Sequence, residues 1–469
     1  MLFNSTEFLV FFLLVLGVYY VLSTRAQNFF LLIAGNVFYG WWDWRFLILL
    51  WFSIVVDFFI ARKIASTEDP YRRKLLLLCS LSVGLGILGF FKYFNFFTDS
   101  AVRVANRFGL ELHPFTLQVI LPVGVSFYTF QSLGYALDVY RKRVEPARDF
   151  WLYALFVCYF PQLVAGPIER AGHLMRQLAA PKRLNAQHLA AGLWLIGLGL
   201  FKKVAIADTA SLMVERAFAD PSSLGWIALH KGMWLFAIQI YCDFSGYTDI
   251  ARGTARMLGV DLMENFRQPY FASNITDFWH RWHISLSTWL RDYLYISLGG
   301  NRKGRWRTYA NLMVTMLLGG LWHGANWTFV VWGGLHGLFL ALHKMWGEWR
   351  GEERLPTPAG RFLGWLVTLW LVTLAWVFFR APDFSTAAVF LKGLATVQPL
   401  TPADGWDLVT LVFYGSLVFL VDWPAFRSGD AWGGFRWSWP LRGIYIALLV
   451  ILFILMSENR EAAFIYFQF

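Results

Sequence analysis

The sequence predicts an all-α protein that crosses a membrane many times, and three observations carry that prediction. Of 469 residues, 57% are hydrophobic and 19% aromatic, while only 15% carry charge. Mean hydropathy is +0.48. Apolar tracts recur along the whole chain, so the apolar surface is too evenly spread to be hidden in one soluble core.

Taken in order, the tracts are Phe8–Leu22, Phe46–Ile60, Leu75–Phe90, Leu117–Leu137, Leu189–Phe201, Trp226–Ile240, Trp327–Leu342, Phe362–Phe379, Leu408–Val421 and Ile444–Met456. Several fall short of the ~20 residues that a perpendicular helix needs. Tilted, broken and re-entrant helices are therefore expected among roughly 10–13 membrane-embedded segments. The first tract begins near Asn4 and Glu7 instead of a basic leader, and no small-residue cleavage site follows before Arg25, so it is expected to remain as a span. Trp151–Val164 ends at Gly166-Pro167 and reads as a re-entrant hairpin. No linker, low-complexity run or internal repeat divides the chain, which predicts one membrane domain over residues 1–469.

The net charge of +11 resides in short basic clusters between apolar tracts: Arg25, Arg62-Lys63, Arg72 to Lys74, Arg141 to Arg143, and Arg170 to Arg183. That distribution suits membrane topology better than a nucleic-acid surface. If the early tracts and Phe29–Tyr39 each cross once, the clusters up to Arg143 share one side, which the positive-inside rule makes cytoplasmic with the N-terminus outside, and Arg170 to Arg183 joins them if Trp151–Val164 is re-entrant. The lipid bilayer is the expected partner, and nucleic acid is not. Cys79, Cys158 and Cys242 have neither framework nor CxxC spacing, so each is expected to act as a buried small hydrophobe.

Chemistry concentrates between roughly Tyr241 and Gly337, where Asp243, Asp249, Asn265, Asp277 and several histidines interrupt apolar sequence. Charge and non-helical backbone persist at membrane depth chiefly around a cavity. Asn274 or Thr276 can cap a helix that begins near Asp277, and Gly299-Gly300 can end it after Tyr295. At 100° per residue, Trp279, Trp282, Leu286, Trp289, Leu290 and Tyr293 share one face, and His280, His283, Ser287 and Arg291 form a polar stripe beside it. Such a helix could wall a polar tunnel or lie in the membrane plane with its histidines solvated. His280 and His283 have metal-ligand spacing, but no cysteine or carboxylate nearby completes a set, so no metal is expected.

His323 sits in the apolar run from Leu317 to Trp327, where an ionisable group is costly. It could be a buried imidazole satisfied by a carbonyl, or a neutral base that takes a proton from a hydroxyl. Gly319, Gly320 and Gly324 permit close approach of backbone or ligand, and Trp322 and Trp327 could wall a channel. His336 and His343 are expected to serve packing or the interface. There is no Gly-x-Ser-x-Gly elbow and no phosphate-binding glycine loop, so direct attack on an activated acyl group, without a protein nucleophile, is the chemistry these residues permit.

Seven stretches carry a resemblance: Leu121–Gln131, Phe160–Ile168, Tyr241–Asp249, Glu264–Phe271, Asp277–Arg291, Gly320–Trp327 and Phe464–Phe469. In that order they resemble the membrane-bound O-acyltransferase family, in its bacterial branch acting on alginate and peptidoglycan. The resemblance implies a helical bundle with re-entrant and in-plane helices around a central tunnel, with His323 matching the catalytic histidine and His283 the second one. It implies Trp279, Ser287, Trp322 and Asn326 as substrate-binding residues. No bound cofactor is implied; acetyl-CoA would be the acyl-donor substrate, its phosphates held by Arg302, Lys303, Arg305 and Arg307. His280 stands where the family usually has arginine, so no role passes to it.

The implied activity is passage of acetyl groups across the bacterial inner membrane toward an exported polysaccharide, aided by a separate extracytoplasmic acetyl-accepting protein. Two alternatives are D-alanyl transfer to teichoic acid on the same fold and a proton-coupled transporter or flippase with His323 as relay. A transporter often shows paired repeat halves, which this chain lacks.

Overall fold

A computed structural model describes residues 1–113, 115–117, 120–164, 166–351, 357–457 and 464. Positions 118 and 119 of the Leu117–Leu137 tract, Ala165, and residues 465–469 of the terminal motif lie outside them. Among the described residues there is helix and no strand. The chain packs as two compact units, residues 1–192 with 251–263, and residues 193–250 with 264–469.

The first unit runs through α1 (Thr6–Tyr19), α2 (Thr24–Gly40), α3 (Arg45–Ser66), α4 (Pro70–Leu88), α5 (Phe94–Arg107), α6 (Val125–Tyr140), α7 (Phe150–Cys158), α8 (Phe160–Leu163) and α9 (Ala171–Ala179). Helices α3, α4 and α6 pack together, and α2 packs on α7 and α8. In the Leu117–Leu137 tract α6 starts at Val125, where Gly124 takes φ +76° after Pro122 and approaches the carbonyl of Leu163. The 151–164 segment is broken at Tyr159, whose extended backbone separates α7 from α8. Cys158 is buried here and Cys242 in the second unit, but Cys79 is exposed on α4, contrary to expectation. An outward-facing thiol on a lipid-facing helix needs no polar partner.

α10 (Ala186–Leu200) and α12 (Trp226–Met257) each pass from one unit to the other. The second unit adds α11 (Thr209–Ala219), α13 (Ile275–Arg281), α14 (Ile284–Trp289), α15 (Arg305–His323), α16 (Trp327–Arg350), α17 (Pro358–Arg380), α18 (Phe384–Ala395), α19 (Pro402–Ser428) and α20 (Trp439–Met456). Among the described residues, five stretches are long and apolar enough to cross a membrane by length and composition: Pro70–Arg107, Ala186–Ala219, Pro358–Arg380, Pro402–Ser428 and Trp439–Met456.

A π-helical stretch, Phe201–Asp208, follows α10 and carries two buried lysines. Gly199 and Gly246 let the α10 and α12 backbones meet, which brings the lysines to the α12 carboxylates. Lys202 Nζ lies 2.9 Å from Asp249 and 3.9 Å from Asp422, whose other oxygen accepts from the Tyr241 hydroxyl at 2.7 Å. Lys203 Nζ lies 2.7 Å from Asp208 and 2.8 Å from Asp243. Removing one partner of such a buried pair strands a charge, which costs about 3–5 kcal/mol. Asp243 and Asp249 thus interrupt apolar sequence in order to bind helices together.

Helices α15 and α16 form a tight hairpin. A Cβ on Gly320 would stand 2.2 Å from the carbonyl oxygen of Phe329, and one on Gly333 equally close to that of Met316. Gly320→Ala should therefore destabilise the protein by about 1–3 kcal/mol through overpacking. Gly347→Ala, in α16 with nothing within 4 Å of the added carbon, should be neutral or slightly stabilising. Thermal unfolding of the two variants in detergent checks this; equal midpoints would show that the hairpin can open without cost.

Candidate active site

The Asp277–Tyr295 segment is not one helix. Asn274 caps α13 as expected, its Oδ1 accepting from Asp277 N at 2.8 Å. The helix then breaks at Trp282-His283, α14 follows, and Leu290–Tyr295 closes as a π-helical turn. His283 takes φ +42°, a left-handed conformation that a side-chain-bearing residue adopts at a cost of order 1–3 kcal/mol. The break turns His283 away from the polar stripe that the uninterrupted helix would have given it. It is fully buried, whereas His280 and Arg291 remain exposed and Ser287 is half-buried. The predicted apolar face does hold: Trp279, Trp282, Leu286, Trp289, Leu290 and Tyr293 are all buried.

The segment 265–267 holds the break open. Asn265 O accepts from Ile284 N at 2.9 Å, and Arg267 N donates to Arg281 O at 2.9 Å. Asn265 Oδ1 accepts from Ser285 N at 3.2 Å and from the Ser285 hydroxyl at 2.9 Å, and His283 Nδ1 stands 3.0 Å from the same oxygen. An oxygen that faces these donors is an acceptor, so the hydrogen-bond network assigns the imidazole hydrogen to Nδ1. The lone pair is then on His283 Nε2, which is buried without a hydrogen-bond partner among the described residues. Ser287, expected on the substrate side, donates instead to Trp282 O at 2.9 Å and braces the break.

His323 is the last residue of α15 and is buried. Its ring centroid lies 6.4 Å from that of His283, 5.0 Å from Trp322, 5.1 Å from Trp332 and 5.3 Å from Phe379. Trp322 also lies 5.9 Å from His283, and Phe244 packs edge-on against His283 at 4.7 Å. The structure thus unites His283, His323 and Trp322 as predicted. Trp279 joins the enclosure from behind, 5.9 Å from Trp332. His336 is a packing residue, buried between Trp332 at 4.7 Å and Trp279 at 5.2 Å, and His343 meets the Thr276 hydroxyl at 3.2 Å.

Other expected residues lie elsewhere. Trp327 is exposed. Asn326 caps α16 through Thr328 N at 3.1 Å and donates to Pro382 O at 2.7 Å, so both ends of its amide hold structure. Arg302, Lys303, Arg305 and Arg307 are exposed at the start of α15. Arg305 Nε lies 3.5 Å from Glu348. Counting along α15, Arg305 and His323 are separated by about 27 Å at 1.5 Å per residue. Among the described residues no group of three His, Cys, Asp or Glu is placed to hold a metal ion.

Sequence reasoning missed Asn265 as a positioning residue, although an amide within apolar sequence was the available signal. Phe244, Trp332 and Phe379 carried no signal that distinguished them from many other aromatics. Phe464, the described member of the terminal motif, lies 5.7 Å from Phe244 and 4.4 Å from Tyr247, which places it one ring behind His283.

A sequence model of the membrane-bound O-acyltransferase family matches residues 147–381. The chain is 40% identical, over 100% of both proteins, to a probable alginate O-acetylase of Pseudomonas putida. It is 35% identical, over 100% of itself and 98% of the relative, to a peptidoglycan O-acetyltransferase of Helicobacter pylori. A teichoic acid D-alanyltransferase of Bacillus subtilis is 26% identical over 56% of this chain and 69% of its own.

Asn265→Ala should lower turnover by about 10- to 100-fold, as loss of a partner that orients a functional histidine does elsewhere. Ser285→Ala removes one donor to Asn265 and leaves the His283 contact, so its effect should be smaller. Steady-state kinetics on both purified variants, with thermal unfolding alongside, checks this. Equal losses in turnover would reduce Asn265 to a fold anchor.

Proposed function

The chain belongs to the membrane-bound O-acyltransferase family, and we propose that it moves acetyl groups from cytoplasmic acetyl-CoA to hydroxyls of an exported or cell-surface polysaccharide. It is a multi-pass membrane acyltransferase, which removes the ground for the transporter reading. The full-length similarity to O-acetyltransferases, against a partial and weaker similarity to a D-alanyltransferase, favours acetyl over D-alanyl. The inner membrane, with the N-terminus outside, is the location that the basic clusters support.

One observation carries the reading: two buried imidazoles, His283 and His323, stand 6.4 Å apart inside an aromatic enclosure. A hydroxyl brought between them loses its proton to His323, its oxygen bonds to the thioester carbonyl carbon, and the carbon–sulfur bond breaks. The proton then passes from the imidazole to the departing thiolate, so the enzyme ends as it began. His283, fixed by Asn265 with Nε2 free to accept, orients the hydroxyl or carries the proton onward. The rings of Trp322, Trp332 and Phe379 exclude water that would hydrolyse the thioester. In this reading a separate extracytoplasmic acetyl-accepting protein completes the transfer, as the family resemblance implies.

His323→Ala should insert and fold normally but lose on the order of 10²–10⁴ in turnover, read as free thiol released from acetyl-CoA by purified protein. Near-normal thiol release by a well-folded variant would eliminate His323 as the base.

At the other end of α15, replacing Arg302, Lys303, Arg305 and Arg307 with glutamine should raise the donor KM and change kcat little. Contacts about 27 Å along α15 from His323 contribute mainly uniform binding. Arg305 already shares charge with Glu348, so Arg305→Gln alone should matter least. Added salt should weaken donor use by the parent more than by the neutralised protein. An unchanged donor KM would make the loop a topology signal only.

A further inference from the structure

An open cavity of about 510 Å³ lies at the C-terminal end of α3, against the loop that precedes α7. Arg62, Lys63 and Arg148 line it together with one carboxylate, Glu145. Three cations against one anion make it a basin for a polyanion or phosphate. A bare helix C-terminus would repel an anion, but the Lys63 carbonyl already accepts from the Thr67 hydroxyl at 2.7 Å and from Ser66 at 3.2 Å. The opposite wall is fixed, since Ala147 N donates to the Tyr135 hydroxyl at 2.9 Å. Arg62 is steadied by its guanidinium, which lies 5.5 Å from the Phe58 ring centre.

What distinguishes this basin from an ordinary basic loop is the surface leading to it. Ile48, Phe52, Val55 and Phe59 are all exposed on α3 and follow one another at four-, three- and four-residue steps, with Arg62 three residues further on. That spacing places them in one stripe along the helix. From Ile48 to Arg62 the stripe is about 21 Å long at 1.5 Å per residue, more than half of a ~30 Å hydrocarbon core. An apolar track that ends in a cationic basin matches a molecule with a long chain at one end and a phosphate at the other.

We propose that this basin binds the phosphate of an anionic glycerophospholipid whose acyl chain lies along the α3 stripe. The site uses no residue of the histidine centre and is independent of the proposed reaction. A soluble phosphate would use the basin alone, whereas a phospholipid uses basin and stripe together.

Native mass spectrometry of the detergent-purified chain tests this with phosphatidylglycerol, phosphatidylcholine of the same chains, and glycerol phosphate. Phosphatidylglycerol should be retained in preference to phosphatidylcholine, and R62Q/K63Q/R148Q should lose about 10- to 100-fold of that retention. Glu145→Gln, which removes the one carboxylate lining the basin, should strengthen retention, a gain that misfolding cannot imitate. Phe52→Ser with Phe59→Ser should weaken phospholipid retention. Equal retention of the two phospholipids, an unaffected triple variant, or displacement of phosphatidylglycerol by equimolar glycerol phosphate would each overturn the proposal.

Discussion

A peptide group released from a helix inside an apolar environment needs a new partner, and the geometry of the histidine centre depends on how that need is met at Asn265. Breaking the chain at Trp282-His283 frees backbone groups that an unbroken Asp277–Tyr295 helix would have paired internally. Asn265 takes two of them, Ile284 N on its carbonyl and Ser285 N on its side-chain oxygen. An unpaired buried amide costs about 1–3 kcal/mol, so the two together match or exceed the strain of a left-handed His283. The same oxygen sets the tautomer of His283. Backbone satisfaction and the chemical state of the imidazole are thus settled by a single side chain.

The second unit handles full charges differently from its histidines. Lys202 and Lys203 are each opposed by carboxylates within 3 Å, and the Tyr241 hydroxyl engages Asp422. That network lies one aromatic layer from the active centre, since the Tyr241 ring is 6.2 Å from Trp282, the neighbour of His283. Charges held in pairs have little freedom to bind a transient ligand. The imidazoles, by contrast, pack against aromatic rings, His283 with Asn265 as its hydrogen-bond partner, and Nε2 of His283 has no partner among the described residues.

Composition and the recurrence of apolar tracts made the membrane fold legible, because burial in lipid constrains every helix alike. The histidine positions were legible too, since an ionisable residue such as His323 stands out against apolar neighbours. What the sequence hid was any feature created by a broken period. The 100° rule placed the aromatic face of residues 279–293 correctly and His283 incorrectly, because one left-handed residue resets the phase and no glycine or proline announced it. Asn326 looked like a ligand for the same reason that it is a cap: a side-chain amide beside a helix start serves either purpose. Trp332 and Phe379 reach His323 from α16 and α17 through tertiary packing, and local spacing does not report such approaches.

Helix α15 joins two different environments. Arg305 and Arg307 stand in its first turn, and from Thr308 to Trp322 it carries no ionisable charge before reaching His323. The first turn also offers unpaired backbone N–H groups and the positive end of the helix dipole, which favour an anion. A donor with phosphates at one end and a neutral thioester at the other meets the same gradient in its own structure. Charged groups are favoured at the first turn and disfavoured along the apolar remainder, so a donor bound there would keep its phosphates at the first turn. This polarity is a ground for proposing an acyl-CoA over a donor whose charge adjoins its reactive carbonyl, because the latter would have to carry that charge into the aromatic enclosure.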